Sequence, residues 1–230
     1  MFFFSPTYLM YMIPAFILMA LTSWYVKSAY NKWSRVQAQS RLTGAQAAQQ
    51  LISAGNLYGV QIQGTAGNLT DHYDPRNKTL FLSQGVASVA SVASVAIAAH
   101  ELGHAMQDAE GYFPLRVRSA LVPVVNIGSN LGWILIMIGL FLRFTEIAWL
   151  GILIFAGGAV FALFTLPVEF NASARAKQLL VQTGIIQTGE EQRGVNTVLN
   201  AAALTYVAGL VTAILQLLYY VSLVGGGRRR

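Results

Sequence analysis

Residues 121–166 read LVPVVNIGSNLGWILIMIGLFLRFTEIAWLGILIFAGGAVFALFTL. Two apolar segments, 121–142 and 147–166, are separated only by Arg143, Phe144, Thr145 and Glu146. Each has the roughly 20 apolar residues a helix needs to cross a bilayer. The pair therefore predicts a tight transmembrane hairpin. Two more stretches qualify, 6–26 and 201–224, the second followed by GGGRRR. The first has no basic n-region and is too long for a signal-peptide core, so it reads as an anchor rather than a cleaved leader.

Composition points the same way. Of 230 residues, 55% are apolar and 10% charged, against roughly 25% charged in a soluble domain. Such a chain lacks the polar surface to stay in water. The net charge of +6 is spread between apolar segments, without the basic patch and interleaved aromatics that nucleic acid requires, so no nucleic-acid partner is expected. There is no cysteine, which excludes disulfides and thiolate metal sites.

Four spans place the two polar regions, 27–118 and 167–200, on one side. Nine Lys and Arg, from Lys27 to Arg193, flank the membrane there, against four on the other side: Arg143, Arg228, Arg229 and Arg230. By the positive-inside bias the polar regions face the cytoplasm, although the three terminal arginines argue the other way. The expected layout is an N-terminal transmembrane anchor (1–26), a cytoplasmic α+β region (27–118), the transmembrane hairpin (119–166), a cytoplasmic helix (167–200) and a C-terminal transmembrane helix with its basic tail (201–230).

Within 27–118, TGAQAAQQLISAGN predicts a short helix capped by Thr43 and ended by Gly55. VQIQ (60–63) alternates like a strand. HYDPRNKTLFLS holds a turn at Asp74, Pro75, Arg76 and Asn77, then a second strand from Thr79 to Ser83. The run 86–99, about 14 residues of Ala, Val and Ser, is too short to span and suits a buried helix. Its small side chains would let neighbouring elements come close.

That run leads into AAHELGHAMQ (98–107), which holds two of the chain's three histidines. On a helix His100 and His104 lie about 40° apart and Glu101 about 100° round from His100. This is the HExxH arrangement, two imidazoles on one zinc ion with a glutamate as general base. Zinc brings the pKa of its bound water towards about 7, and the site wants a third protein ligand. A chance match is the bland alternative, but burying such groups in an apolar helix without a partner would be costly.

The acidic residues are few enough to eliminate. Glu110 lies where some zinc proteases put a third ligand, but they turn the chain with a Gly three residues after the second His, and here that residue is Gln107. Without the turn Glu110 stays about 240° round the helix from His104. Asp108 reads as a residue supporting a ligand or as a solvated one. Asp71, His72 and Asp74 precede the helix in a hairpin, Glu146 is on the far side of the membrane, and the Gly-flanked Glu190 and Glu191 suit solvent. Glu169, in LPVEFNASARAKQLL, remains as the third ligand. Pro167 fits the first turn of a helix there, and the plainer reading of Glu169 is a glutamate stabilised by that helix's dipole. The fold class expected is a mainly α membrane protein with about four transmembrane helices and a small α+β, zinc-protease-like domain containing a short β-hairpin or sheet.

The motifs LTDHYDPRNKTLFLS, SVAIAAHELGHAMQ and LPVEFNASARA, in that order, resemble the membrane zinc metallopeptidases of the YugP type, over nearly the whole chain. The resemblance implies one Zn2+ held by His100, His104 and Glu169, with Glu101 as the catalytic acid/base. In thermolysin-like relatives the ligand glutamate is followed four residues later by an Asp that holds a ligand histidine. Here Ser173 stands in that place, so Ser173, Asn171 or Asp108 must orient the rings. The resemblance also suggests that the strand Thr79, Leu80, Phe81, Leu82 and Ser83 pairs with an extended substrate, the plain alternative being an ordinary sheet strand. His72 either donates to the oxyanion of the transition state or, the favoured reading, is a turn residue tied to Asp74. Arg175 either pairs with a carboxylate near the zinc or marks the positive-inside face.

The leading expectation is a membrane-integrated zinc endopeptidase of the bacterial cell membrane, acting on peptides or on membrane-associated or unfolded proteins at the cytoplasmic face. A regulatory membrane partner or a homo-oligomer is compatible with it. An intramembrane protease ranks lower because such enzymes use an Asp ligand from a span and no Asp occurs in these four. A zinc-binding scaffold without turnover is the non-enzymatic alternative.

Overall fold

The structure, a computed structural model, describes residues 5–226. It is a mainly α membrane protein. The elements are α1 (Pro6–Trp33), α2 (Gly44–Ala54), β1 (Gln61–Thr65), β2 (His72–Asp74), β3 (Thr79–Ser83), α3 (Gln84–Ala87), α4 (Val92–Ala109), α5 (Phe113–Leu142), α6 (Thr145–Phe155), α7 (Gly157–Gln182) and α8 (Gly189–Gly226). Four helical stretches are long and apolar enough to cross a bilayer: α1, α5, α6 with α7, and α8. Arg228, Arg229 and Arg230, counted in the charge bias, lie outside the described residues.

The chain divides into two compact units. The first comprises the described parts of 1–23, 116–166 and 205–230. Its interior is small, with Met12, Ile136, Ala148, Ile152, Tyr219 and Tyr220 packed together. Large apolar side chains such as Phe16, Ile127, Leu153 and Leu163 are exposed. That inversion is stable only where the surroundings are lipid. The turn between α5 and α6 is as tight as the sequence suggests, with Arg143 at φ 58°. Glycines bring the two helices together: a Cβ on Gly132 would lie 2.8 Å from the Gly151 carbonyl oxygen, and one on Gly151 2.6 Å from the Ile136 nitrogen. Small residues do this in membranes because close backbone contact replaces the hydrophobic drive that lipid removes.

The second unit comprises Trp24–Leu115 and Pro167–Leu204, so both polar stretches of the sequence fold together. Its core contains Leu51, Leu80, Leu82, Val92, Leu102 and Leu199. Helix α2 has the cap foreseen for it. Thr43 Oγ1 accepts from the Gln46 N–H, and the Gln46 side chain accepts from the Thr43 N–H. At its end the left-handed residue is Asn56, φ 53°, not Gly55, whose φ is −86°.

The apolar run 86–99 is not one helix. It holds the end of α3, a break at 88–91, and then α4, where Ser91 accepts from the Ser94 N–H as an N-cap. Ser88, the C-cap of α3, donates its hydroxyl back to the Gln84 carbonyl at 2.6 Å, and Ser91 starts α4.

The sheet has the order β1-β3-β2, with β1 parallel and β2 antiparallel to β3. This corrects the expectation that Thr79, Leu80, Phe81, Leu82 and Ser83 pair with substrate. β3 is the central strand. β1 is aligned along its whole length, β2 pairs with Thr79 to Phe81, and Asp71 takes the Ser83 N–H at 2.7 Å. The open edges belong to β1 and β2. A pattern of alternating residues gives a strand's faces but not its neighbours, so the sheet order was not legible.

Two more expectations change. Pro167 is not at a helix start but inside α7, ten residues past Gly157. Glu169 is therefore mid-helix, and the N-terminal dipole reading of it fails. Glu191 is not solvated. It is 3% exposed and accepts from the backbone N–H groups of Gln39, Gln187 and Thr188.

Candidate metal centre

His100 and His104 lie on one face of α4, and Glu169 comes from α7. The glutamate Oε2 is 3.2 Å from His100 Nε2 and 3.6 Å from His104 Nε2. One ligand atom from each residue lies within 4.8 Å of the others. All three side chains are buried, Glu169 to 1% exposure, His100 to 9% and His104 to 8%.

Gly103 permits this approach. A Cβ there would collide with the Ala172 carbonyl and lie 3.0 Å from its Cα. With only hydrogen at that point α4 settles against the α7 backbone, and a glutamate three residues before Ala172 reaches both imidazoles. Sequence reading passed over Gly103, although a glycine inside a helical motif is itself a sign of close packing.

The rings are held from behind. Ser173 Oγ lies 3.2 Å from His100 Nδ1, in the place the resemblance pointed to. His104 Nδ1 lies 3.0 Å from Gln107 Oε1. Gln107, wholly buried, also donates to the Val168 carbonyl at 2.8 Å and to Asn171 Oδ1 at 2.9 Å. The sequence treated Gln107 only as a missing glycine. Its two partners on α7 lie more than 60 residues away, so nothing local could reveal them. Both Nδ1 atoms are thus engaged and both Nε2 atoms converge on one carboxylate oxygen. Two imidazole nitrogens and a carboxylate oxygen, fixed and buried, suit a zinc ion.

Glu101 is largely buried, and burial of its carboxyl pushes its pKa above the ordinary glutamate value, against the pull of His100 and His104.

The remaining candidates lie elsewhere. Asp108 accepts from the Tyr73 hydroxyl at 2.9 Å, tying β2 to the end of α4 and holding no ring. His72 is exposed, stacked on Phe81 at 4.7 Å, with Nδ1 2.9 Å from the Thr70 carbonyl. Its described contacts are local to the hairpin, and Asp74 spends its carboxylate on Arg76. Arg175 forms a bidentate pair with Glu110 at 2.6 and 2.7 Å and donates from Nε to Asn171. Glu110 caps the end of α4 and faces that arginine.

A profile for the family described as "Putative neutral zinc metallopeptidase" matches residues 8–225. The chain is 43% identical over 203 residues to the protein named "Putative membrane protease YugP" of Bacillus subtilis (strain 168), covering 88% of this chain and 90% of that one. No solved structure matches it. A buried His, His and Glu cluster in a chain of lipid-suited helices, matched almost end to end by that profile, identifies the chain as a member of the neutral zinc metallopeptidase family.

Proposed function

We propose that the protein is a zinc-dependent endopeptidase, integral to the bacterial membrane, with His100, His104 and Glu169 as ligands of one zinc ion. The observation that carries the reading is the convergence of three buried donor atoms from two helices within 4.8 Å. Zinc bound there supplies Lewis acidity, to the water and to the scissile carbonyl alike. Ser173 and Gln107 hold the two imidazoles so that their Nε2 atoms face the site. Glu101, next to His100 on α4, takes a proton from the attacking water and passes it to the leaving nitrogen. The burial that raises its pKa suits a group that must both accept and return a proton.

An extended peptide would add to the free edge of β2, now that β3 is enclosed. β2 is tied to the end of α4 by the Tyr73–Asp108 hydrogen bond. Recognition through main-chain groups fits a protease for unfolded or membrane-associated segments. The folding of both polar stretches into one unit, with the charge bias of the sequence, favours a cytoplasmic active site.

Glu101→Gln tests the assignment. The variant should retain zinc and lose cleavage of unstructured peptides and of co-expressed membrane proteins. Unchanged cleavage sinks the role given to Glu101. Zinc binding without any cleavage in the wild type would favour a scaffold.

A further inference from the structure

We infer that Gln107 is the positioning residue that dictates which nitrogen of His104 faces the metal, and that Asn171 and Arg175 dictate the orientation of Gln107. The inference rests on the zinc reading above and deepens it.

A side-chain amide can be turned over, and an imidazole can carry its proton on either nitrogen. A single hydrogen bond between them therefore has no fixed direction. Here the surroundings remove both freedoms. The Val168 carbonyl oxygen can only accept, so the Gln107 atom 2.8 Å from it is the amide nitrogen. That nitrogen's other neighbour, at 2.9 Å, must accept as well, which makes it the Asn171 oxygen. Arg175 gives the same answer independently. A guanidinium only donates, and its Nε lies 2.7 Å from that same Asn171 atom. Glu110 holds the guanidinium in place through two more bonds.

With its nitrogen so committed, Gln107 turns its oxygen towards His104 Nδ1, 3.0 Å away. Nδ1 must then carry the hydrogen. The lone pair of the neutral ring is left on Nε2, the atom 3.6 Å from Glu169. A donor-only arginine at one end and an acceptor-only carbonyl at the other thus set the polarity of the network. His100 has no such lock, because the Ser173 hydroxyl can donate or accept.

The test uses the full-length protein in detergent. Zinc affinity is measured by competition with a chromophoric chelator, and histidine tautomers by 15N NMR of the zinc-free protein at alkaline pH. Only three histidines are present, so the spectrum is simple. Wild-type His104 should show the Nδ1–H tautomer, and Gln107→Leu should give a mixture. Gln107→Leu and Asn171→Leu should each weaken zinc binding about 10- to 100-fold. Asn171→Asp, which keeps the oxygen that both donors use, should bind zinc as the wild type does.

The inference is overturned if wild-type His104 carries its hydrogen on Nε2, a result that needs no variant to fold. It is also overturned if Gln107→Leu binds zinc like the wild type, or if Asn171→Asp binds no better than Asn171→Leu. A wild type that binds no zinc overturns the zinc reading instead, and the tautomer spectrum still judges Gln107 separately.

Discussion

Gly103 and Glu101 carry the sharpest consequences at the scale of single residues. Replacing Gly103 with Ala drives a methyl into the Ala172 backbone, and backbone cannot rotate aside as a side chain can. Overpacking of this kind costs about 1–3 kcal/mol. Here it also pushes apart the helices that carry the histidines and Glu169. Gly103→Ala should lower the thermal midpoint and the zinc content together, whereas a variant as stable and as zinc-replete as the wild type would refute the close-approach argument. For Glu101 the sign of the shift is set by burial. A general base works when ionised, and a raised pKa moves its protonation to higher pH. The acid limb of kcat/KM should therefore lie above 4.5, the ordinary value for glutamate. A limb at or below it would contradict the assignment. The convergence of His100 and His104 was legible because a helix turns a four-residue spacing into one face. Glu169 was legible because so few acids remained to choose from. Gln107 and Gly103 act only where α4 meets α7, and a linear reading cannot see that meeting.

Among the elements, the sheet and the long helices depart most from expectation, for reasons of context. α7 runs through Pro167 without a break. Proline forfeits one helical hydrogen bond, but neighbouring helices commonly compensate in membrane proteins, so a proline there is a poor stop signal. Glu191 looked solvated because glycines flank it, yet it takes the backbone N–H groups of Gln187 and Thr188, just before α8, and of Gln39, between α1 and α2. Glu191→Ala should leave those donors without an acceptor and cost about 1–3 kcal/mol. Thermal unfolding in detergent would show the loss, while Glu190→Ala, at an exposed neighbour, should leave the midpoint unchanged. Equal midpoints for the two variants would remove Glu191 from its role. The hairpin of β2 and β3 was readable from its turn residues. The parallel pairing of β1 was not, since it joins segments separated by another strand.

For the whole molecule the sequence was most informative. Lengths and hydropathy foretold four apolar spans and one tight hairpin, and the structure has both. Orientation rests on the charge bias alone, nine basic residues against four. The absence of cysteine makes it measurable, because one introduced thiol reports alone. Phe144, exposed in the α5–α6 turn, and Gly64, on the open edge of β1 with nothing near its Cβ position, are suitable sites. In intact cells a membrane-impermeant maleimide should label Phe144→Cys at once and Gly64→Cys only after permeabilisation. The reverse pattern would place the zinc site outside.

Zinc content of the purified protein tests the central claim most directly, compared among the wild type, His100→Ala and Glu169→Ala. The account predicts a single zinc ion per wild-type chain and loss of it in both variants, with folding confirmed by circular dichroism. Glu169→Ala retaining zinc at the wild-type level would contradict it, because the site would then not be the one formed where α4 and α7 meet.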